Sequence, residues 1–307
     1  MGLQPLIYVL ILGFLYGSVT VATRFCLGQF DPITYSGLRL ALGALVYVSL
    51  YIFRVRGRKW PKDRVFWKRA FIYGIIGDAV PILLFISAMQ YLSSGVGGIL
   101  VTFYPVVTVI MGHFYLDDER INKLKFIGIL LSTSGALLMA VFGETGLADP
   151  DGTAIYGYLM ILGSAIVGSA SSIYARKLLV GYDTIDTVSI RMISSALVTI
   201  PLAIIFEGLD ISQVTLSGFI VFLYSTFVIA ASFFLGFYVL KKYGVTVSAM
   251  SGYLPPIITT VGGMLLLNEQ ITLVMVFGMI LILAGVTVIN QNLGKISLGK
   301  LDLREPT

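Results

Sequence analysis

Residues Pro255–Ile271, PPIITTVGGMLLLNEQI, decide the fold, because the chain holds them twice. The first copy is Pro105–Ile121, PVVTVIMGHFYLDDERI. A shift of 150 residues sets Pro105 on Pro255, Gly112 on Gly262, Glu119 on Glu269 and Ile121 on Ile271. The correspondence continues through the next apolar run, where Gly128 meets Gly278 and Gly135 meets Gly285. Upstream, a shift of 152 pairs Arg24 with Arg176, Asp31 with Asp183 and Arg39 with Arg191. One unit is therefore written twice, and an internal repeat governs every later reading.

The composition says where that unit lives. Hydrophobic residues make up 57% of the 307 and charged residues 12%, about half the charge of an average soluble domain. A water-facing surface cannot be built from so few charges. Cys26 and His113 are the only residues of their kinds, which excludes an internal disulfide and any metal site built from several cysteines or histidines. No phosphate loop, dinucleotide fingerprint or HExxH motif occurs, so no cofactor or metal is expected. The first apolar run lacks a basic leader and is read as a retained span.

A membrane-crossing helix needs about 20 mostly apolar residues. Ten such runs are present: Pro5–Thr23, Pro32–Phe53, Val65–Met89, Gly95–Leu116, Leu124–Phe142, Thr153–Tyr174, Thr184–Phe206, Leu216–Leu240, Val247–Leu267 and Thr272–Asn290. The expected fold is all-α and integral to a membrane. The first repeat covers residues 1–145, the second 146–293, and a cytoplasmic tail follows at 294–307. All of the 21 basic residues except Arg24, Arg39 and Arg191 fall on one side if both termini are cytoplasmic, as the retention of positive loops inside requires. The basic balance reports this topology and gives no reason to expect nucleic acid. Five spans per repeat is odd, so the two copies insert in opposite orientations, a plan that recurs in secondary transporters.

With these features the chain resembles the drug/metabolite transporter superfamily, specifically its EamA-type permeases. The resemblance rests on ten spans, the duplication, and a P-x6-G-x6-E segment closing spans four and nine before a G-x6-G helix. Here those residues are Pro105, Gly112, Glu119, Gly128 and Gly135, then Pro255, Gly262, Glu269, Gly278 and Gly285. An arginine early in spans two and seven, Arg39 and Arg191, belongs to the same pattern. The resemblance implies passage of a small molecule through a central cavity in the cell membrane. It leaves the substrate open among amino acids, other metabolites, nucleotide sugars and drugs.

Single residues carry further expectations. Asp78 lies in the middle of span three, where an ionisable group usually marks a substrate or ion path. It is read as a site for a substrate ammonium or a proton; the bland reading is a protonated acid bonded to a neighbouring hydroxyl. Its repeat counterpart is Val228, so the duplicated scaffold does not require the acid. Phe85, two turns on, shares its helix face. Tyr16, Thr102, Tyr104 and Tyr253 are candidate pocket residues, with packing as the alternative for each aromatic. Pro105, Pro255 and Pro256 interrupt their helices and free carbonyls beside the path. Arg39 and Arg191 lie about 12 Å inside their helix starts, and their symmetry favours packing or carbonyl capping over anion binding. Glu119 and Glu269 are read as pinning helix ends, with a gating ion pair as the alternative. The expected activity is secondary transport of a small polar metabolite such as an amino acid, by alternating access. No ATP-binding motif is present, and proton coupling would run through Asp78. An integral-membrane enzyme would need clustered acids, histidines or nucleophiles, and only scattered ones occur. A channel or structural membrane protein would have no use for the inversion.

Overall fold

The computed structural model describes residues 3–116, 120–147, 153–179 and 181–290, in backbone alone at 3–5, 233, 234, 236–238, 240–250 and 290. Twelve α-helices follow one another among these residues. They are α1 (Leu3–Cys26), α2 (Pro32–Ile52), α3 (Arg64–Gly74), α4 (Val80–Ala88), α5 (Ser94–Val101), α6 (Tyr104–Tyr115), α7 (Lys123–Val141), α8 (Ala154–Leu178), α9 (Thr184–Glu207), α10 (Leu216–Met250), α11 (Pro255–Leu267) and α12 (Leu273–Asn290). A π-helical turn, Ile75–Ala79, joins α3 to α4 as the third span. The fourth span is α5 with α6.

Seven described helical runs, of 19–25 residues, are long and apolar enough to cross a bilayer, and three shorter apolar helices, Leu216–Ser232, Ser251–Leu267 and Leu273–Ile289, complete ten. Leu45, Ile205, Leu265 and Leu273 are among many large apolar side chains left exposed. In water such a surface would aggregate; in a bilayer it is the face presented to lipid.

One boundary differs from the sequence reading. The break expected between spans eight and nine at residues 241–246 is absent, and α10 stays helical to Met250. The break falls instead at Ser251–Tyr253, a single 3-10 turn. Residues 241–250 contain no proline, and Gly244 alone does not stop a helix. Pro255 and Pro256 do, because proline disfavours the α conformation in the residue before it and removes N–H donors.

Helix packing repeats under exchange of the two halves. The pairs α2 with α9, α7 with α12 and α5 with α11 join equivalent spans. The remaining major contacts come in exchanged couples: α1 on α10 mirrors α8 on α4, α1 on α11 mirrors α8 on α6, and α3 on α9 mirrors α10 on α2. The glycines show the same axis at atomic scale. A methyl group on Gly128 would lie 2.6 Å from the Gly285 carbonyl oxygen, and one on Gly135 would lie 2.7 Å from that of Gly278. Gly278 and Gly285 are the repeat equivalents of Gly128 and Gly135. Each glycine therefore meets the partner's copy of the other, as an isologous two-fold contact requires. Small residues here let the backbones of α7 and α12 touch.

Candidate functional site

Between the halves lies a cavity of about 810 Å³, lined from both repeats. Ligand pockets generally span about 300–1,000 Å³. Tyr16, Asp78, Phe85, Thr102, Tyr104 and Tyr253 all line it, as do Pro105, Pro255, Arg39 and Arg191. Pro256 is buried beside it without forming its wall. Glu269 is also buried and does not line it. Glu119 lies outside the described residues.

Two helix interruptions shape the walls. Pro105 has no N–H, so the Val101 carbonyl loses its helical donor, and Val101 lines the cavity. The chain crosses the gap through short-range bonds, Thr102 N to Ile99 O (3.1 Å) and Phe103 N to Leu100 O (2.9 Å). Thr102 Oγ1 also donates to Ile99 O at 2.6 Å. The turn Gly252–Tyr253 before Pro255 occupies the equivalent place in the second half and lines the same cavity. In the third span, Pro81 withholds the N–H that a regular helix would offer to Gly77. The helix widens, and Val80 N donates five residues back to Ile75 O. Such π-turns concentrate at functional sites; this one carries Asp78.

Asp78 is 1% exposed and, among the described residues, is bonded to no hydroxyl. Arg191 holds both of its carboxylate oxygens: Nε donates to Oδ2 at 2.6 Å, and Nη2 donates to Oδ1. The pairing corrects two expectations. Arg191 is the counter-ion of Asp78 rather than a carbonyl cap, and Asp78 has no vacant charge awaiting a substrate ammonium. Tyr73 completes the cluster. Its ring centroid lies 4.6 Å from the Arg191 guanidinium carbon, and its hydroxyl accepts from Arg191 Nη1 at 3.3 Å.

Of the two structural roles considered for Arg39, packing and carbonyl capping, the described contacts are of the packing kind. Arg39 caps no carbonyl in the described structure; Nη1 donates to Thr23 Oγ1 at 3.2 Å, and the guanidinium carbon lies 5.3 Å from the Tyr35 ring centroid. No carboxylate among the described residues faces it. At the repeat position of Asp78 the second half carries Val228, so the duplication does not supply Arg39 with an acid as it supplies Arg191.

Glu269 stands at the N-terminus of α5. It accepts from Ser94 N (2.8 Å), Ser94 Oγ (2.7 Å) and Gly95 N (3.3 Å), with Arg24 Nε 4.0 Å away. A carboxylate here meets free helix N–H groups and the positive end of the helix dipole. Tyr104 bonds through its hydroxyl to Ser164, which donates to Pro81 O at 2.7 Å, tying α6 and α8 to the start of α4. Among the described residues no group of three or more His, Cys, Asp or Glu could hold a metal ion.

Comparison with known proteins agrees with this architecture. The model of the EamA-like transporter family matches residues 3–141 and again residues 155–291. An uncharacterized transporter of Bacillus subtilis, YoaV, is 24% identical over 274 residues, covering 89% of this chain and 91% of its own. An uncharacterized transporter of Archaeoglobus fulgidus is 26% identical over 282 residues, covering 89% and 94%. A solved crystal structure superposes with a TM-score of 0.65 at 18% identity, over 94% of this chain and 98% of the other, a likeness of fold.

Proposed function

The chain belongs to the EamA-like transporter family, and we propose that it is a secondary carrier moving a small polar metabolite, such as an amino acid, by alternating access around the central cavity. The cavity between inverted halves carries this reading. Exchange of the two halves converts one packing arrangement into a near-equivalent one, so opening toward either side costs similar free energy. In this reading the protein resides in the cell membrane with both termini cytoplasmic, its outer apolar side chains against lipid. Proton coupling runs through Asp78, which can exchange a proton with water only when its bonds to Arg191 open.

Counterflow in proteoliposomes tests the carrier. Saturable uptake accelerated by unlabelled substrate on the opposite side is expected; uptake that rises linearly without saturation describes a channel and ends the proposal. Reporters fused at Thr307 and inserted at 143–152 test orientation, and are expected on opposite sides of the membrane.

A further inference from the structure

Arg191 and Arg39 occupy equivalent places and both line the cavity, but their charges are treated differently. Arg191 is neutralised by Asp78. Arg39 is 7% exposed and, among the described residues, makes one hydrogen bond, to a threonine hydroxyl that itself donates to Val19 O at 2.8 Å. A guanidinium has five N–H donors in a planar fork, and a cation so buried needs a counter-charge. The Tyr35 hydroxyl cannot provide it, being neutral and engaged with Ser225 at 2.7 Å. Among the described residues no acid except Asp78 lines the cavity, whereas Arg176 adds a further positive charge. The remaining wall is mostly apolar and aromatic.

We propose that Arg39 is the subsite for a carboxylate carried by the substrate, which therefore has an anionic carboxylate head and a compact, largely apolar body. The substrate fills the place that Asp78 fills for Arg191 in the other repeat. The planar fork matches a carboxylate through two parallel bonds, and a single arginine balances one negative charge. Molecules that differ only by loss of the carboxylate, the corresponding amides and amines, are rejected because they leave Arg39 uncompensated. The proposal adds the substrate class to the carrier reading and rests on it for the cavity's purpose. Binding can nevertheless be measured without transport.

The test uses purified full-length protein in detergent and two series of compounds: phenylacetate with phenylacetamide, 2-phenylethylamine and benzylphosphonate, and 4-methylpentanoate with its amide and amine. Thermal stabilisation against concentration gives affinity. At least one carboxylate is expected to bind at least tenfold tighter than its amide and amine. Arg39→Gln should erase that preference, and Arg39→Lys should keep the preference for anions at reduced affinity. If Arg39→Gln does not fold, Arg39→Lys and Val228→Asp still decide. Val228→Asp restores an acid at the repeat position of Asp78 and should weaken carboxylate binding at least tenfold without lowering the melting temperature of the unliganded protein. Equal binding of amide or amine, tighter binding of the phosphonate, no binding of either carboxylate, or carboxylate binding unchanged in Val228→Asp would each overturn the proposal. Carboxylate binding without counterflow would leave the Arg39 subsite standing and remove the carrier reading alone.

Discussion

Arg191 and Asp78, 113 residues apart in the chain, are joined through both carboxylate oxygens, with Nε 2.6 Å from Oδ2. The contact ties α9 to the π-turn of the third span, so it crosses between the repeats. Removing one member of a buried ion pair strands the other charge, at a cost of about 3–5 kcal/mol. Asp78→Asn should therefore lower the melting temperature markedly. The double variant Asp78→Asn with Arg191→Met should recover part of that loss, since no charge is then stranded. Melting curves of the four proteins in the cycle measure it, and strictly additive losses would show that the two side chains act separately.

The fold was legible and this pair was not, for physical reasons. Span number and inversion follow from apolar run length, an odd count and loop charge, which are local properties. The small residues Gly128, Gly135, Gly278 and Gly285 stand out because duplication preserves their spacing. The Asp78–Arg191 pair depends on the register in which α9 crosses α3 and on a turn widened by Pro81, and neither has a one-dimensional signature. The asymmetry was nevertheless written in the sequence, as Val228 opposite Asp78. The extension of α10 to Met250 was missed because the basic pair Lys241–Lys242 suggests a loop, whereas backbone helicity is stopped only at the prolines.

Glu269 gathers three donors at the start of α5. Glu269→Gln keeps the shape but replaces charged acceptance with a neutral amide, and loss of about 1–3 kcal/mol is expected. Folded yield after detergent extraction should fall at least as much as transport per folded molecule. Full yield with transport abolished would assign Glu269 to the transport cycle instead.

The contact of α7 with α12 leaves no room for a methyl group. Gly128→Ala should cost stability, because the new Cβ would lie 2.6 Å from the Gly285 carbonyl oxygen. Gly143→Ala has open space around it but a backbone φ of +62°, so its cost is conformational, about 1 kcal/mol. Comparing the two melting temperatures separates helix spacing from backbone strain; equal small losses would contradict the close contact.

At the end of α2, the connection to α3 is fastened to α9 by Arg58, whose Nη1 donates to Asp183 and to Asp186, each at 3.0 Å. Burial alone would raise the Asp183 carboxyl, but the Arg58 bond and the backbone N–H groups of Asp186 and Ile185 outweigh it and hold it below its ordinary value. A carboxyl depressed by folding stabilises above its unfolded value, and that contribution is lost as pH falls through the folded value. Melting temperature should therefore drop on the acid side of the ordinary carboxylate range. Asp183→Asn should flatten that drop; an unchanged acid profile would exclude Asp183 as its source.

Alternating access is tested most directly at Thr102, which lines the cavity at the break between α5 and α6. With Cys26, which is fully buried, replaced by serine, Thr102→Cys becomes the single thiol. A membrane-impermeant maleimide is applied to right-side-out and to inside-out vesicles. A cavity that opens by turns to both sides predicts labelling in both preparations, and labelling confined to one of them would contradict it.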